Sequence, residues 1–166
     1  MPDFVHLRHK PVVELAEPRP LIVALPQMQS NINISRIVRA ASCCGVRRMV
    51  VCGHAKIDRK IARDGADEIT IEVRRTLPPV LKQFREEGYR LVGLEQTTNS
   101  QCLYDYRYES RSVLVIGHER QGLTEDVLQL LDDVIEIPVY GLPHAHNAAT
   151  AAAIALYEYC RQHRDS

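Results

Sequence analysis

Residues 135–159, IEIPVYGLPHAHNAATAAAIALYEY, change character twice. A β-branched run gives way to a loop holding Gly141 and Pro143, and then to an Ala-rich stretch. Read locally, that is strand, loop and helix. Working outward, the same alternation recurs along the chain. PLIVALP (20–26), RRMVVCG (47–53), EITIEV (68–73), YRLVGLEQ (89–96), SVLVIGHE (112–119) and VIEIPV (134–139) each read as a strand. These runs are almost continuously apolar rather than alternating, the pattern of strands covered on both faces in a parallel sheet.

Helical patterns occupy the gaps. In 31–45, NINISRIVRAASCCG, the positions Ile34, Ile37, Val38 and Ala41 follow i, i+3, i+4, i+7, and Gly45 supplies the stop. The segment 77–87, LPPVLKQFREE, opens with prolines that a first turn tolerates. TEDVLQLL (124–131) has Thr124 as a cap followed by two acids, and 147–162 is the Ala-rich helix. The longest irregular segment is 97–111. Strands alternating with helices predict an α/β fold with a mostly parallel sheet and helices on both faces.

The chain has 166 residues and a mass of 18.9 kDa, sized for a single domain. Its 45% hydrophobic and 25% charged residues exclude a disordered or fibrous chain. No apolar run reaches the roughly 18 residues of a membrane span, and MPDFVHLRHK does not read as a signal peptide. A cytoplasmic location is expected. Five cysteines, an odd number with no C-x-x-C pair, are expected to be reduced and mostly buried. Net charge is zero, yet residues 1–75 hold 13 Lys and Arg against 8 Asp and Glu, and the remainder reverses that balance. A basic first half permits an anionic partner.

In an open parallel sheet, ligands bind beyond the C-terminal ends of strands. Three late strands run into LEQTTNS (94–100), IGHERQGL (116–123) and IPVYGLPHAHN (137–147), loops whose glycines and proline permit close backbone approach. They predict a pocket built largely from main-chain groups. No G-x-G-x-x-G follows the first strand, and neither G-x-x-x-x-G-K-[ST] nor G-x-S-x-G occurs. His144 and His146 lack the spacing of a zinc pair, so no metal is expected.

Three segments, in order, resemble the SpoU (TrmH) branch of the SPOUT RNA methyltransferases across roughly residues 20–162. NISRIVRAASCCGV (33–46) is similar to that family's asparagine–arginine–glycine segment, LVIGHERQGL (114–123) to its G-x-E-x-x-G segment, and 135–159 to its I-P-M-x-G-x-x-x-S-L-N segment. The resemblance implies a single domain over 1–166 with a short extension at 1–19. It further implies a deep trefoil knot over about 112–162, a rare exception to unthreaded connections. It also implies a homodimer with an active site across its interface, S-adenosylmethionine as cofactor, and methyl transfer to a ribose 2′-hydroxyl of RNA, with tRNA favoured over rRNA.

Carried over residue by residue, the resemblance makes Arg39 the catalytic arginine. It adds Asn33, Glu119 and Asn147 as catalytic-site residues, with Asn33 equally readable as a helix cap and Glu119 as an acceptor for Arg39 across the dimer or an orienting group for the substrate. Leu94, Gly117, Ile137, Leu142, Ala145, Asn147 and Ala148 would hold the cofactor, mostly by main-chain groups. Where the family has Ser-x-Asn-x-Ser, this chain has Ala145, His146, Asn147, Ala148 and Ala149, so two hydroxyls are gone. Two readings follow from that departure: an active enzyme in which His146 compensates, or a catalytically weakened knotted dimer that binds RNA or protein.

Overall fold

A computed structural model describes residues 3–164; the first two residues of the expected extension and the last two of the expected domain lie outside the described residues. All six expected strands form. They are β1 (Arg19–Leu25), β2 (Val46–Cys52), β3 (Thr70–Arg74), β4 (Arg90–Leu94), β6 (Ser112–Ile116) and β7 (Asp133–Glu136). A two-residue strand, β5 (Gln101–Cys102), lies inside the segment expected to be irregular. The strands make one sheet in the order β3-β2-β1-β6-β4-β7-β5, and every pairing between them is parallel.

Period-2 geometry divides the strand side chains between two apolar layers. Leu21, Val23 and Leu25 of β1, Met49 and Val51 of β2, and Leu114 and Ile116 of β6 face one layer. Ile22, Ala24, Val50, Cys52, Val113 and Val115 face the other. Helix α1 (Asn31–Cys43) and helix α6 (Ala148–Gln162) cover the first layer, with the short helices α2 (Arg59–Ala62) and α3 (Gly65–Glu68) beside α1. The opposite face is covered by α4 (Leu77–Glu86) and α5 (Glu125–Leu128) through Leu77, Val80, Leu81, Phe84 and Val127. Being apolar on both sides is therefore what the near-continuous runs encode.

Local chemistry sets the helix ends. Ser30 caps α1 by accepting from the Asn33 amide at 3.1 Å, and Gly45 follows its C-terminus at φ 78°. Prolines occupy the first turn of α4, as expected. Thr124 stands at the cap position of α5, but its hydroxyl donates to the Asp126 carboxylate rather than receiving a backbone amide.

The segment 97–111 is ordered by burial rather than by regular structure. Leu103, Tyr106 and Tyr108 are buried in the α6 layer. The Tyr108 hydroxyl donates to the Ala155 carbonyl (3.2 Å), and the Tyr159 hydroxyl donates to the Ser110 carbonyl (2.6 Å). Gln162 closes the seam, its amide donating to the Tyr106 carbonyl (2.7 Å) and its oxygen accepting from the Tyr108 amide (2.8 Å). These bonds fasten α6 along the chain that leads into β6. Of the five cysteines, all reduced, Cys44 and Cys52 are buried, Cys102 and Cys160 half-buried, and Cys43 is exposed, which corrects the expectation of mostly buried thiols. Cys43 lies one turn beyond Arg39 on the outer face of α1, away from the stripe that packs on the sheet.

Candidate functional site

The ends of β6, β4 and β7, neighbours in the sheet, bring three loops together. They enclose a cleft of about 260 Å³ lined by residues 94–96, 116–120, Gly122, Glu136, Ile137, Val139, Ala145, His146, Ala148 and Ala151. Of the positions expected to hold a cofactor, Leu94, Gly117, Ile137, Ala145 and Ala148 line it. Leu142 and Asn147 are outside the lining, and Leu142 is 81% exposed. Leu142 belongs to the outer arch of the 139–147 loop, so its side chain faces solvent rather than the cleft.

The cleft's shape comes from a hairpin-like turn at 117–123. His118 and Gly122 exchange backbone hydrogen bonds at 3.1 and 3.0 Å, and Gly122 takes φ 65°. A Cβ on Gly117 would lie 2.9 Å from the Gly122 carbonyl carbon and 3.1 Å from the Leu123 nitrogen, so only glycine lets these strands of backbone touch. The His118 ring nitrogen Nδ1 accepts from the Arg120 and Gln121 amides (3.1 and 3.2 Å). Glu95 ties this turn to the end of β4, accepting from the Leu123 amide at 3.0 Å. Gln96 then reaches the third loop, donating to the His144 carbonyl at 3.1 Å. Glu95 and Gln96 were not singled out from the sequence. Their signal was present, since both stand in the first two positions beyond an apolar strand.

The four residues expected to be catalytic do not gather at one point. Glu119 accepts from the Ser30 amide (3.0 Å) and the Gln29 amide (3.3 Å), so both carboxylate oxygens face the backbone that opens α1. Burial opposes its ionisation, yet those amides outweigh burial and hold the carboxyl below the usual glutamate range. Within the protomer it is therefore the fastening between the 117–123 turn and α1, and Arg39 of the same protomer does not reach it. Asn33 is not the cap of α1, a place taken by Ser30; it sits three residues inside the helix, only 7% exposed. Its side-chain oxygen accepts from the Asn147 amide at 3.2 Å. Asn147 in turn caps α6, accepting from the Ala149 and Thr150 amides at 2.8 and 3.3 Å. The two asparagines thus clip the first turns of α1 and α6 beside the cleft.

Arg39 lies elsewhere. Nine residues beyond Ser30, it is about 13 Å farther along the helix axis. It lines a second depression, of about 470 Å³, with Arg36, Ala40 and Cys43 of α1, Lys60 and Ile61 of α2, and Tyr157 of α6. Arg36, Arg39, Ala40 and Cys43 fall on one stripe of α1, opposite the buried stripe of Ile34, Ile37, Val38 and Ala41. Arg39 donates to the Ile61 carbonyl at 3.4 Å, a long bond that leaves most of the guanidinium available.

The cleft suits a cation with an apolar body. Glu95, Glu119 and Glu136 supply three negative charges against the one positive charge of Arg120, while Leu94, Ile116, Ile137 and Val139 supply apolar surface for a flat ring. Ala148, the first residue of α6, places the N-terminus of that helix beside it.

Residues 20–157 match the SpoU rRNA Methylase family. Over 93 residues the chain is 39% identical to the tRNA (guanosine(18)-2'-O)-methyltransferase TARBP1 of Mus musculus, which covers 55% of this chain and 6% of that protein. Over 149 residues it is 29% identical to the tRNA (guanosine(18)-2'-O)-methyltransferase of Aquifex aeolicus, covering 87% of this chain and 71% of the relative. Among solved structures, the A. aeolicus TrmH/SpoU tRNA modifying enzyme superposes with a TM-score of 0.83 at 29% identity, over 88% of this chain and 76% of the other. The SpoU methyltransferase AviRb from Streptomyces viridochromogenes, solved with AdoMet, gives 0.75 at 27% identity, over 94% and 67% of the two chains. The chain therefore spans a small part of the mouse protein and most of the Aquifex one.

Proposed function

This chain belongs to the SpoU rRNA Methylase family, and we propose that it transfers the methyl group of S-adenosylmethionine to a ribose 2′-hydroxyl of tRNA. The observation that carries the reading is the cleft itself. Its three loops are the stretches beyond β4, β6 and β7, and its apolar lining, with three carboxylates against one arginine, fits a sulfonium cation bearing an adenine. The relative AviRb, solved with AdoMet, supports the choice of cofactor. The mouse and Aquifex relatives are named for guanosine 18 of tRNA, which makes that nucleotide the first to test.

Leu94, Gly117, Ile137, Ala145 and Ala148 would hold the cofactor, whose bound form supplies an electrophilic methyl group. Arg39 does the remaining work from the RNA side. A guanidinium keeps its own proton to pH above about 12, so it acts as a fixed positive charge rather than as a base. It would position a phosphate of the substrate, whose oxygen can take the 2′-hydroxyl proton. It would also stabilise negative charge growing on the 2′-oxygen as the methyl–oxygen bond forms and the methyl–sulfur bond breaks to leave a neutral thioether. The separation of about 13 Å along α1 between Arg39 and the Glu119 fastening favours a homodimer in which Arg39 of one protomer serves the cleft of its partner. We further assign the deep trefoil knot to about residues 112–162. Strand order supports it: β6 lies between β1 and β4, whereas β7, next along the chain, lies on the far side of β4. A single domain in the cytoplasm completes the proposal; no helix among the described residues is long and apolar enough to cross a membrane.

The test is incubation of the purified protein with isotopically labelled S-adenosylmethionine and unmodified tRNA, followed by mass spectrometry of the nucleosides. A 2′-O-methylated nucleoside is the expected product. Cofactor binding without transfer to any tRNA or rRNA would sink the reading and return the non-catalytic dimer, which the methyltransferase relatives do not favour.

A further inference from the structure

We propose that Lys60 and Arg36 extend the Arg39 position into a three-cation cradle for consecutive phosphates of the RNA backbone, and that they act in substrate binding rather than in methyl transfer. The inference rests on the tRNA reading above and deepens it by naming residues that grip the substrate.

The cradle is built across two elements. Arg36 and Arg39 share one stripe of α1, three residues apart, and Lys60 faces them from α2 across the 470 Å³ depression. The juxtaposition is fixed by packing. The Ser35 hydroxyl, fully buried on α1, accepts from the Asp58 amide at 2.8 Å and pins the start of α2. At the other end of the same excursion, Gly65 lets α3 press on α1, where a Cβ would lie 3.0 Å from the Ser42 Cβ. The Arg39 bond to the Ile61 carbonyl closes the gap between them.

Charge bookkeeping around the depression points to an anion. Most other arginines of the two helical layers have carboxylate partners, as in Arg59–Asp67, Arg85–Asp132 and Arg161–Glu158. Among the described residues no carboxylate lies within ion-pair distance of Arg36, Arg39 or Lys60. Asp64, four residues beyond Lys60, is in no ion pair with it, and two further acids of this excursion are already engaged. Asp58 accepts from the Lys60 backbone amide at 2.9 Å, and Asp67 pairs with Arg59 at 2.7 Å. Three exposed cations held side by side by buried anchors repel one another, and that repulsion is relieved when phosphates settle between them. Tyr157, 56% exposed, borders the cradle and offers a ring face next to the backbone track.

The experiment measures binding of the full chain to an unmodified tRNA transcript over a range of salt concentrations, with steady-state methylation alongside. Lys60→Ala and Arg36→Ala should each lower the slope of log affinity against log salt by about 0.7–0.9, the loss of one phosphate contact. Each should raise KM for tRNA about threefold to tenfold while kcat stays within about twofold. Lys60→Arg should restore both, and Lys82→Ala, an exposed lysine on α4 across the sheet, should change neither. An unchanged salt slope for both variants, with wild-type melting temperatures, overturns the cradle; so does a loss confined to kcat. A wild-type protein that binds tRNA with the full slope but transfers no methyl group would overturn the proposed activity and leave the cradle standing.

Discussion

The cleft at the strand ends and the depression on α1 lie along the same helix and follow opposite plans. The cleft is made of backbone, small residues and carboxylates, and its shape depends on Gly117 meeting Gly122. The depression is made of long cationic side chains on helix surfaces, and its shape depends on how α2 is pinned to α1. A site that holds a ligand through main-chain groups tolerates changes of side chain but not of backbone path. A site that holds charge through side chains tolerates the reverse. That contrast explains how Ala145 and Ala149 can replace hydroxyl residues of the family while the surrounding turn stays tightly bonded.

Exchanging the two kinds of residue breaks the comparison most sharply at Arg39. Arg39→Ala should lower the single-turnover methyl-transfer rate by about 10²–10³-fold, the usual loss on removing a preorganised charge-stabilising donor. Calorimetry should find its S-adenosylmethionine affinity within about twofold of wild type. Next in size, Gly117→Ala forces a methyl into the Gly122 backbone, an overpacking cost of about 1–3 kcal/mol. Cofactor affinity should fall roughly 5- to 150-fold on that account, whereas tRNA binding in filter assays keeps its salt slope.

A smaller effect tests the clip between the two regions. Asn147→Ala removes the α6 cap, worth about 1 kcal/mol, and also the partner of Asn33. In a chain of this length that should lower Tm by about 2–4 °C. A double-mutant cycle with Asn33→Ala should return a coupling above about 0.5 kcal/mol, and full additivity would show that the 3.2 Å contact does not couple the helices.

The smallest effect is a pH dependence. Glu119 has a folded-state pKa below its ordinary value of 4.5, because the Ser30 and Gln29 amides favour the carboxylate. Its contribution to stability is therefore present above about pH 4.5 and disappears as pH falls through the lowered folded-state value. Wild type should exceed Glu119→Gln in urea denaturation at neutral pH by under about 1 kcal/mol, and the two should converge in acid. A gap that widens in acid would mean that the fastening does not depend on the charged form.

Regular elements were readable where a residue's neighbours along the chain carry the information. The buried stripe of α1, the prolines opening α4 and the six apolar runs all appear where local periodicity puts them. The shortest elements left no such mark, apart from α5, whose Thr124 and two acids are a local signal. Helices α2 and α3 have four residues each, and β5 has two, so each owes its form to what it packs against. Ser30 was the cap rather than Asn33, although both residues suit the role, because the helix begins at Asn31 and places the Asn33 amide over the serine.

The site divides the same way. Local pattern marked the three loops that form the cleft, since a strand end followed by a glycine turn is a local signal, while the individual residues and both asparagines came from the family resemblance. It did not identify Glu95 as the tie to the 117–123 turn, or Lys60 as the neighbour of Arg39, because each bond joins residues far apart in the chain. Nor could spacing reveal that Glu119 faces the backbone amides that open α1 while Arg39 stands about 13 Å farther along that helix, on the stripe opposite the buried one. What the linear chain determined by itself was its longer elements, their parallel pairing and the loops that must meet beyond the sheet. Tertiary structure alone decided which charges find partners and which remain open, because hydrogen bonds and ion pairs act over a few ångströms of space whatever the distance along the chain.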